Sequence, residues 1–307
     1  MKMFSKLKEL LLSYPTSADL KWGINGLSLE AREQSLKQNI LFRTEPGITD
    51  RKYGSSEVVV SLTTFGRRIN YVALAIESIM EQTALPNRIV LWLDHRFDAP
   101  GMLPFALRKL RDRGLEIRFC DDIGPHTKLI PSLKAFPEAT VITVDDDCYY
   151  EYDVLSRLLC VHEVYPGDIV ALRARRIQMD RDGVSGRFVD WPFVGHTDNA
   201  GMAYLPEGVG GVLYPPHSLH EEVFNEEGFR KFSASTDDFW FKAMSLMQGT
   251  PVRMAYAENA YKSIYTYNPT HQFESLEKNN HSRGEYERQI KALFDNYDLY
   301  RFLEKDS

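Results

Sequence analysis

The sequence predicts an α/β fold: a mixed, mainly parallel sheet flanked by helices, in a single domain with a helical N-terminal extension and a C-terminal helix. Two observations predict it. Between Glu57 and Val144, four short apolar runs alternate with stretches of helical period. Strands separated by helices of that length make right-handed crossovers and therefore parallel neighbours. Beyond Val144 the pattern is less regular, yet it still supplies strand-like runs. These extend one sheet and do not build a second.

The elements follow in order. Residues 1–55 read as a helical, polar extension without a clear core pattern. The rhythm changes at Glu57. Val58–Leu62 is a strand, and residues 69–82 (INYVALAIESIMEQ) have helical period. Residues 88–93 form the second strand, 103–113 a helix and 115–119 the third strand. A short helix over 129–136 leads to the fourth strand, 140–144. In the second half, 168–172 and 209–214 read as strands, and 239–247 and 286–303 as helices. A further helix is expected from Glu151. No internal repeat or low-complexity segment interrupts this order.

Bulk composition narrows the function. The chain has 307 residues, with 43% hydrophobic and 26% charged, an ordinary globular balance. Its formal net charge of −6 excludes a whole-protein basic field for nucleic acid. The three cysteines, Cys120, Cys148 and Cys160, form no CxxC pair and read as reduced thiols of a cytoplasmic protein. No run approaches the ~20 apolar residues that span a bilayer. The N-terminus, MKMFSKLKELLLSYP, lacks the features of a signal peptide. It reads as an amphipathic helix with Phe4, Leu7 and Leu11 on one face. That helix is expected to dock on the domain, with peripheral contact at the inner face of a membrane as the alternative.

The stretch VITVDDDCYY (141–150) is the strongest local signal. In an open parallel sheet, ligands bind beyond the carboxyl ends of the strands. Asp145, Asp146 and Asp147 fall at such an end. Like charges that close repel unless a cation shares them, and a hard divalent cation does that with oxygen ligands, substrate phosphates and water. The competing reading is a helix N-terminus capped by aspartates. Three in a row exceed what capping requires.

In this context the chain resembles the GT-A (Rossmann-like) nucleotide-sugar glycosyltransferases, and among them bacterial family-2-like enzymes of surface polysaccharide synthesis. The resemblance rests on an ordered set of stretches: SLTTFGRRI (61–69), RIVLWLD (88–94), GPHTKLIPSL (124–133), TVDDDCYY (143–150), GVGGVLYPP (208–216) and TDDFW (236–240). Each is weak alone; the order is more specific. The first 55 residues are not covered by it. It implies a domain over residues 56–270, with a nucleotide-binding half (56–150) and an acceptor half (151–270), then a C-terminal loop and helix (271–307).

The resemblance also assigns roles. Thr63, Thr64 and Phe65 would line the nucleotide pocket, with Arg67 or Arg68 near base or phosphates. Asp94 would bind uracil or ribose, in preference to the competing reading in which it caps its own loop. Lys128, and less so His126, would approach the phosphates. Asp147 would coordinate Mn²⁺ or Mg²⁺, with Asp145 on the metal, a metal-bound water or the ribose, and Asp146 beside them. Gly210 and Gly211 would leave room for donor sugar or acceptor, a β-bulge being the competing reading. In TDDFW, Asp238 would be the catalytic base and Asp237 its companion, against the plainer role of starting a helix. Trp191 and the string Arg173, Arg175, Arg176 are ambiguous between ligand contact and ordinary core or solvated face. His271 and His281 are candidates for an extra metal ligand in a closing loop.

The implied activity is a metal-dependent, hexosyltransferase-type transfer from a nucleotide sugar, a UDP-sugar by preference. The acceptor would be a hydroxyl of a glycan or lipid-linked molecule, with inversion, in capsule or lipopolysaccharide synthesis. A retaining transferase and a nucleotide-binding, non-catalytic component of polysaccharide assembly are the alternatives. A nucleotidyltransferase is disfavoured because SLTTFGRRI lacks a glycine-rich G-x-G-T-R loop.

Overall fold

The computed structural model describes residues 17–99, 101–181, 183–195, 199–255, 264–267 and 284–303. The first helix among the described residues, α1 (Ser17–Phe42), is a single 26-residue element. Its later turns bury Leu36 and Ile40 and dock on α2 (Val72–Met80) largely through polar groups. Arg32 pairs with Glu81, donates to the carbonyl of Tyr150 at 3.2 Å and reaches the Tyr152 hydroxyl at 2.9 Å. Asn39 donates to Glu81 at 3.0 Å. The expected amphipathic segment with Phe4, Leu7 and Leu11 lies outside the described residues. Among the described residues no helix is long and apolar enough to cross a membrane.

The strands are β1 (Val58–Thr63), β2 (Arg88–Asp94), β3 (Leu115–Cys120), β4 (Thr140–Thr143), β5 (Cys148–Tyr150), β6 (Ile169–Ala171), β7 (Ala174–Arg176), β8 (Met179–Asp180), β9 (Gly183–Val184), β10 (Tyr204–Pro206), β11 (Val212–Tyr214), β12 (Val252–Met254) and β13 (Tyr265–Tyr267). Seven of them build the central sheet in the order β12-β6-β11-β4-β1-β2-β3. All its neighbours are parallel except β11, which runs antiparallel to both β4 and β6. The mixed, mainly parallel α/β sheet is therefore the one the sequence predicts.

Crossovers run through α2, α3 (Phe105–Arg111) and α4 (Ile130–Ala135). The later helices are α5 (Val154–Val164), α6 (Glu226–Phe232), α7 (Asp237–Gln248) and α8 (Glu285–Tyr297). Successive residues of a strand point to opposite faces, so β1 and β4 feed two cores. Val58, Val60, Leu62 and Ile142 pack with α1, α2, α3 and α5. Val141, Val212 and Val252 pack with α7 and α8.

Three local expectations change. The helix expected over 69–82 is a 3₁₀ turn, Gly66–Asn70, followed by α2. Gly66 takes φ +53°, a left-handed conformation that suits glycine. The chain after the three aspartates does not start a helix at Glu151. It forms β5, which pairs antiparallel with β13, and α5 begins only at Val154. The strand expected from Val209 starts at Val212, because residues 208–210 make a 3₁₀ turn and Gly211 sits at φ +87°.

Candidate active site

A cavity of about 830 Å³ opens beyond the carboxyl ends of β1, β2 and β4. β1 is flanked by β2 on one side and β4 on the other, so this is where the strand order reverses and ligands bind in open α/β sheets. Thr63, Thr64, Phe65 and Arg68 enter it from the end of β1, Asp94 and Arg96 from β2, and Asp145, Asp146 and Asp147 from β4. Lys128 comes from the 3₁₀ turn before α4, and Asp237 and Asp238 from the first turn of α7. Eight carboxylate side chains and five cationic ones line the space.

The three aspartates do not cap a helix; each has its own partner. Asp146 turns inward and is buried. Thr64 donates to it at 2.5 Å and Arg68 pairs with it at 3.0 Å. Burial pushes its carboxyl up to about 7, against the pull of Arg68. Arg68 also pairs with Asp147. Lys128 lies 3.1 Å from Asp145 and 2.9 Å from Asp237, so one ammonium joins the acids of β4 to those of α7. Burial by itself would lower the Lys128 pKa; Asp145, Asp237 and Asp238 override it and raise the pKa well above the usual lysine range. The backbone behind this corner is tied by Tyr150, whose hydroxyl accepts from the Asp145 amide at 2.8 Å and donates to the Val209 carbonyl at 3.2 Å.

On α7, Thr236 is the N-cap residue but makes no side-chain cap bond; its hydroxyl goes to Gln289. Asp237 faces Lys128. Asp238 accepts the amide of Gly208 with both oxygens, at 3.1 and 3.0 Å. Burial raises Asp237, and burial pushes Asp238 up to about 8 although Lys128 opposes it. A largely buried carboxylate that lines the cavity and whose pKa lies near neutrality suits proton transfer.

Of the residues singled out from sequence, Thr63, Thr64, Phe65, Asp94, Lys128, Asp145, Asp146, Asp147, Asp237 and Asp238 converge on the cavity. The Thr63 hydroxyl is already spent on the Trp92 carbonyl at 3.0 Å, and Asp94 accepts from the amide and guanidinium of Arg96 at 2.8 and 2.9 Å. Arg67 is exposed and does not line the cavity; the 3₁₀ turn aims Arg68 there instead. Gly210 and Gly211 are not in the lining either. A Cβ at Gly210 would stand 2.8 Å from the Arg173 Cβ, so this glycine permits close backbone approach. Trp191 is a core residue, its ring nitrogen donating to the Ser185 carbonyl at 2.8 Å. His126 is buried against Phe229, with ring centroids 4.3 Å apart, and burial lowers its pKa to about 3. His271 and His281 lie outside the described residues.

Three further lining residues are Arg173, Arg175 and Glu207. Glu207 pairs with both arginines. The alternation of Arg173 and Arg175 on an extended segment is the signal that could have placed both on one side. Gly208 is the glycine that matters at this site: a Cβ there would stand 2.5 Å from Lys128 Nζ and 2.9 Å from Asp238 Oδ1.

Among the described residues no group of three His, Cys, Asp or Glu side chains is arranged to hold a metal by itself. Asp145 and Asp147 nevertheless fit a hard cation of the magnesium type, which takes one or two carboxylates and completes its shell with substrate phosphates and water.

No family model matches the sequence, and no curated protein matches it. Crystal structures of S. aureus TarS are similar to part of the chain. For TarS 1–349 the identity is 14%, the TM-score 0.46, and the match covers 72% of this chain and 63% of that one. For the same fragment in complex with UDP the figures are 15%, 0.44, 71% and 62%. For its complex with UDP-GlcNAc they are 13%, 0.45, 71% and 61%. The chain thus spans less than two thirds of the length of the TarS chains it matches.

Proposed function

We propose that the chain is a glycosyltransferase that moves a sugar from a nucleotide diphosphate sugar, a UDP-sugar by preference, to a hydroxyl of a glycan or lipid-linked acceptor. One observation carries the reading. Two acidic clusters far apart in sequence meet in one cavity, joined by Lys128 between Asp145 and Asp237. The chemistry needs this pairing: one cluster beside the leaving diphosphate, the other beside the attacking hydroxyl.

Thr64, Phe65 and Asp94 form the wall for base and ribose. Asp145 and Asp147 would hold Mn²⁺ or Mg²⁺ together with the diphosphate, and Arg68 and Lys128 stand close enough to share its charge. When bound, the cation would supply Lewis-acid stabilisation of charge on the leaving group. Asp238 takes the proton of the acceptor hydroxyl as its oxygen attacks the anomeric carbon. The bond from that carbon to the diphosphate oxygen breaks, and the electron pair leaves with the nucleotide diphosphate. A single displacement of this kind inverts the anomeric centre. The resemblance in motif order extends the proposal to bacterial surface polysaccharide synthesis on the cytoplasmic side of the membrane.

Calorimetric titration of UDP tests the nucleotide site, with Mn²⁺, with EDTA, and with Asp147→Ala. The reading expects heat of binding only with both metal and Asp147. Equal binding in EDTA removes the metal from the account, and no binding of UDP, GDP or CMP removes the transferase. The anomeric configuration of the product, read by NMR, decides inversion.

A further inference from the structure

Arg68 occupies the place where a cation would be needed. It leaves β1 on the 3₁₀ turn Gly66–Asn70 and lays its guanidinium between Asp146, at 3.0 Å, and Asp147. The group is mostly buried and also lies over the Phe65 ring, with 5.3 Å to the centroid. Asp146 is fixed from its other side by Thr64 at 2.5 Å, so this carboxylate has no freedom to follow a moving partner. Asp147 is held differently, accepting from the Cys148 thiol at 3.5 Å.

We propose that Arg68 is a built-in counter-cation that bars free divalent metal from Asp147 and swings onto the diphosphate when the nucleotide arrives, so that nucleotide and metal are taken up as a unit. The inference rests on the nucleotide-site reading above and adds an order of events to it. Two independent features point the same way. The described residues offer no three-ligand set able to hold a metal alone, so any cation held by Asp145 and Asp147 would need oxygens from the nucleotide. With the raised Asp146, Asp237 and Asp238 protonated, the lining sets five carboxylates against five cations, so it offers an entering diphosphate no net positive charge. A guanidinium can pair with carboxylate or phosphate oxygens through the same fork of donors, so Arg68 exchanges one partner for the other without losing its hydrogen bonds.

The test is direct metal binding by the full chain, read from the electron paramagnetic resonance signal of free Mn²⁺, with and without UDP. The variants are Arg68→Gln and Arg68→Lys. The wild type is expected to take up Mn²⁺ at least tenfold more tightly with UDP than without. Arg68→Gln is expected to bind Mn²⁺ without UDP at least tenfold more tightly than the wild type, and to bind UDP in Mn²⁺ about tenfold more weakly. Arg68→Lys keeps the charge and is expected to keep the exclusion of free metal. If wild type and Arg68→Gln bind free Mn²⁺ equally, the proposal is overturned. If Arg68→Gln does not fold, Arg68→Lys decides: its shorter, point-like charge must still exclude free Mn²⁺ while weakening UDP binding in Mn²⁺, and wild-type UDP affinity there overturns the proposal. Failure of UDP to bind any form sinks the nucleotide-site reading instead, while metal uptake without nucleotide still judges the guarding role of Arg68.

Discussion

The amide of Gly208 points at both carboxylate oxygens of Asp238, at 3.1 and 3.0 Å. The same residue leaves a gap that a side chain would fill. A Cβ at Gly208 would press on Lys128 Nζ at 2.5 Å and on Asp238 Oδ1 at 2.9 Å. Gly208→Ala is therefore expected to displace two charged groups while the backbone around them survives. Overpacking of this kind costs about 1–3 kcal/mol, whereas a misplaced catalytic group costs roughly a hundredfold in rate. Sugar transfer and thermal unfolding measured on the same preparation separate the two. Unchanged transfer in a folded Gly208→Ala protein would mean that the Asp238 position is not set here.

Asp238 as base predicts a pH profile. Its pKa is pushed up to about 8 by burial, so the proton-accepting form gains population as pH rises toward that value. Transfer at saturating donor and acceptor is expected to climb with pH up to about 8. Asp238→Asn is expected to lower kcat by a factor on the order of 10²–10⁴ and to leave UDP affinity unchanged. A variant that keeps wild-type kcat removes Asp238 from the mechanism and turns attention to Asp237.

The same shifts make stability depend on pH. Asp146 sits at about 7 and Asp238 at about 8, both above the value of about 4 for an unfolded aspartate. The folded protein therefore holds more protons than the unfolded chain between these values. The stabilisation is fully present below the unfolded pKa and is lost as pH rises through the folded one. The ligand-free protein is expected to melt at a lower temperature at about pH 9 than at about pH 7, a window in which the buried His126 and His162 are neutral. Asp146→Asn and Asp238→Asn should each flatten that slope. A Tm that rises across the window, or variants with the wild-type slope, contradict the burial argument. For a chain of this size each kcal/mol moves Tm by roughly 1–2 °C, which calorimetry resolves.

The first four strands were legible because apolar runs buried on both faces leave little ambiguity, and the sheet follows from the helices between them. The acids of β4 and α7 were legible because carboxylates in runs have few plain explanations. Other features were not. α1 has few apolar residues on its docking face, Leu29, Leu36 and Ile40, and adds Arg32 and Asn39 on Glu81, so the string showed a helix and not where it docks. Arg67 and Arg68 are neighbours of one type, and only the 3₁₀ turn tells which faces Asp147. Among the glycines of GVGGVLYPP, a contact decides in favour of Gly208, and contacts are not written in the string. The strand after the three aspartates has its partner, Tyr265–Tyr267, more than a hundred residues away, so local pattern favoured a helix.

Tyr150 gives the fold a keystone. Its carbonyl takes a hydrogen bond from Arg32 of the first helix, while its hydroxyl holds the Asp145 amide and the Val209 carbonyl. One residue thus braces the N-terminal extension, the acidic corner and the glycine loop against each other. The extension is a buttress and not an appendage. Loosening Arg32 would shift the anchor point from which Asp145 and Gly208 are measured. Helix α1 contributes no residue to the cavity lining, yet through Tyr150 it is tied to the backbone on both sides of the cavity.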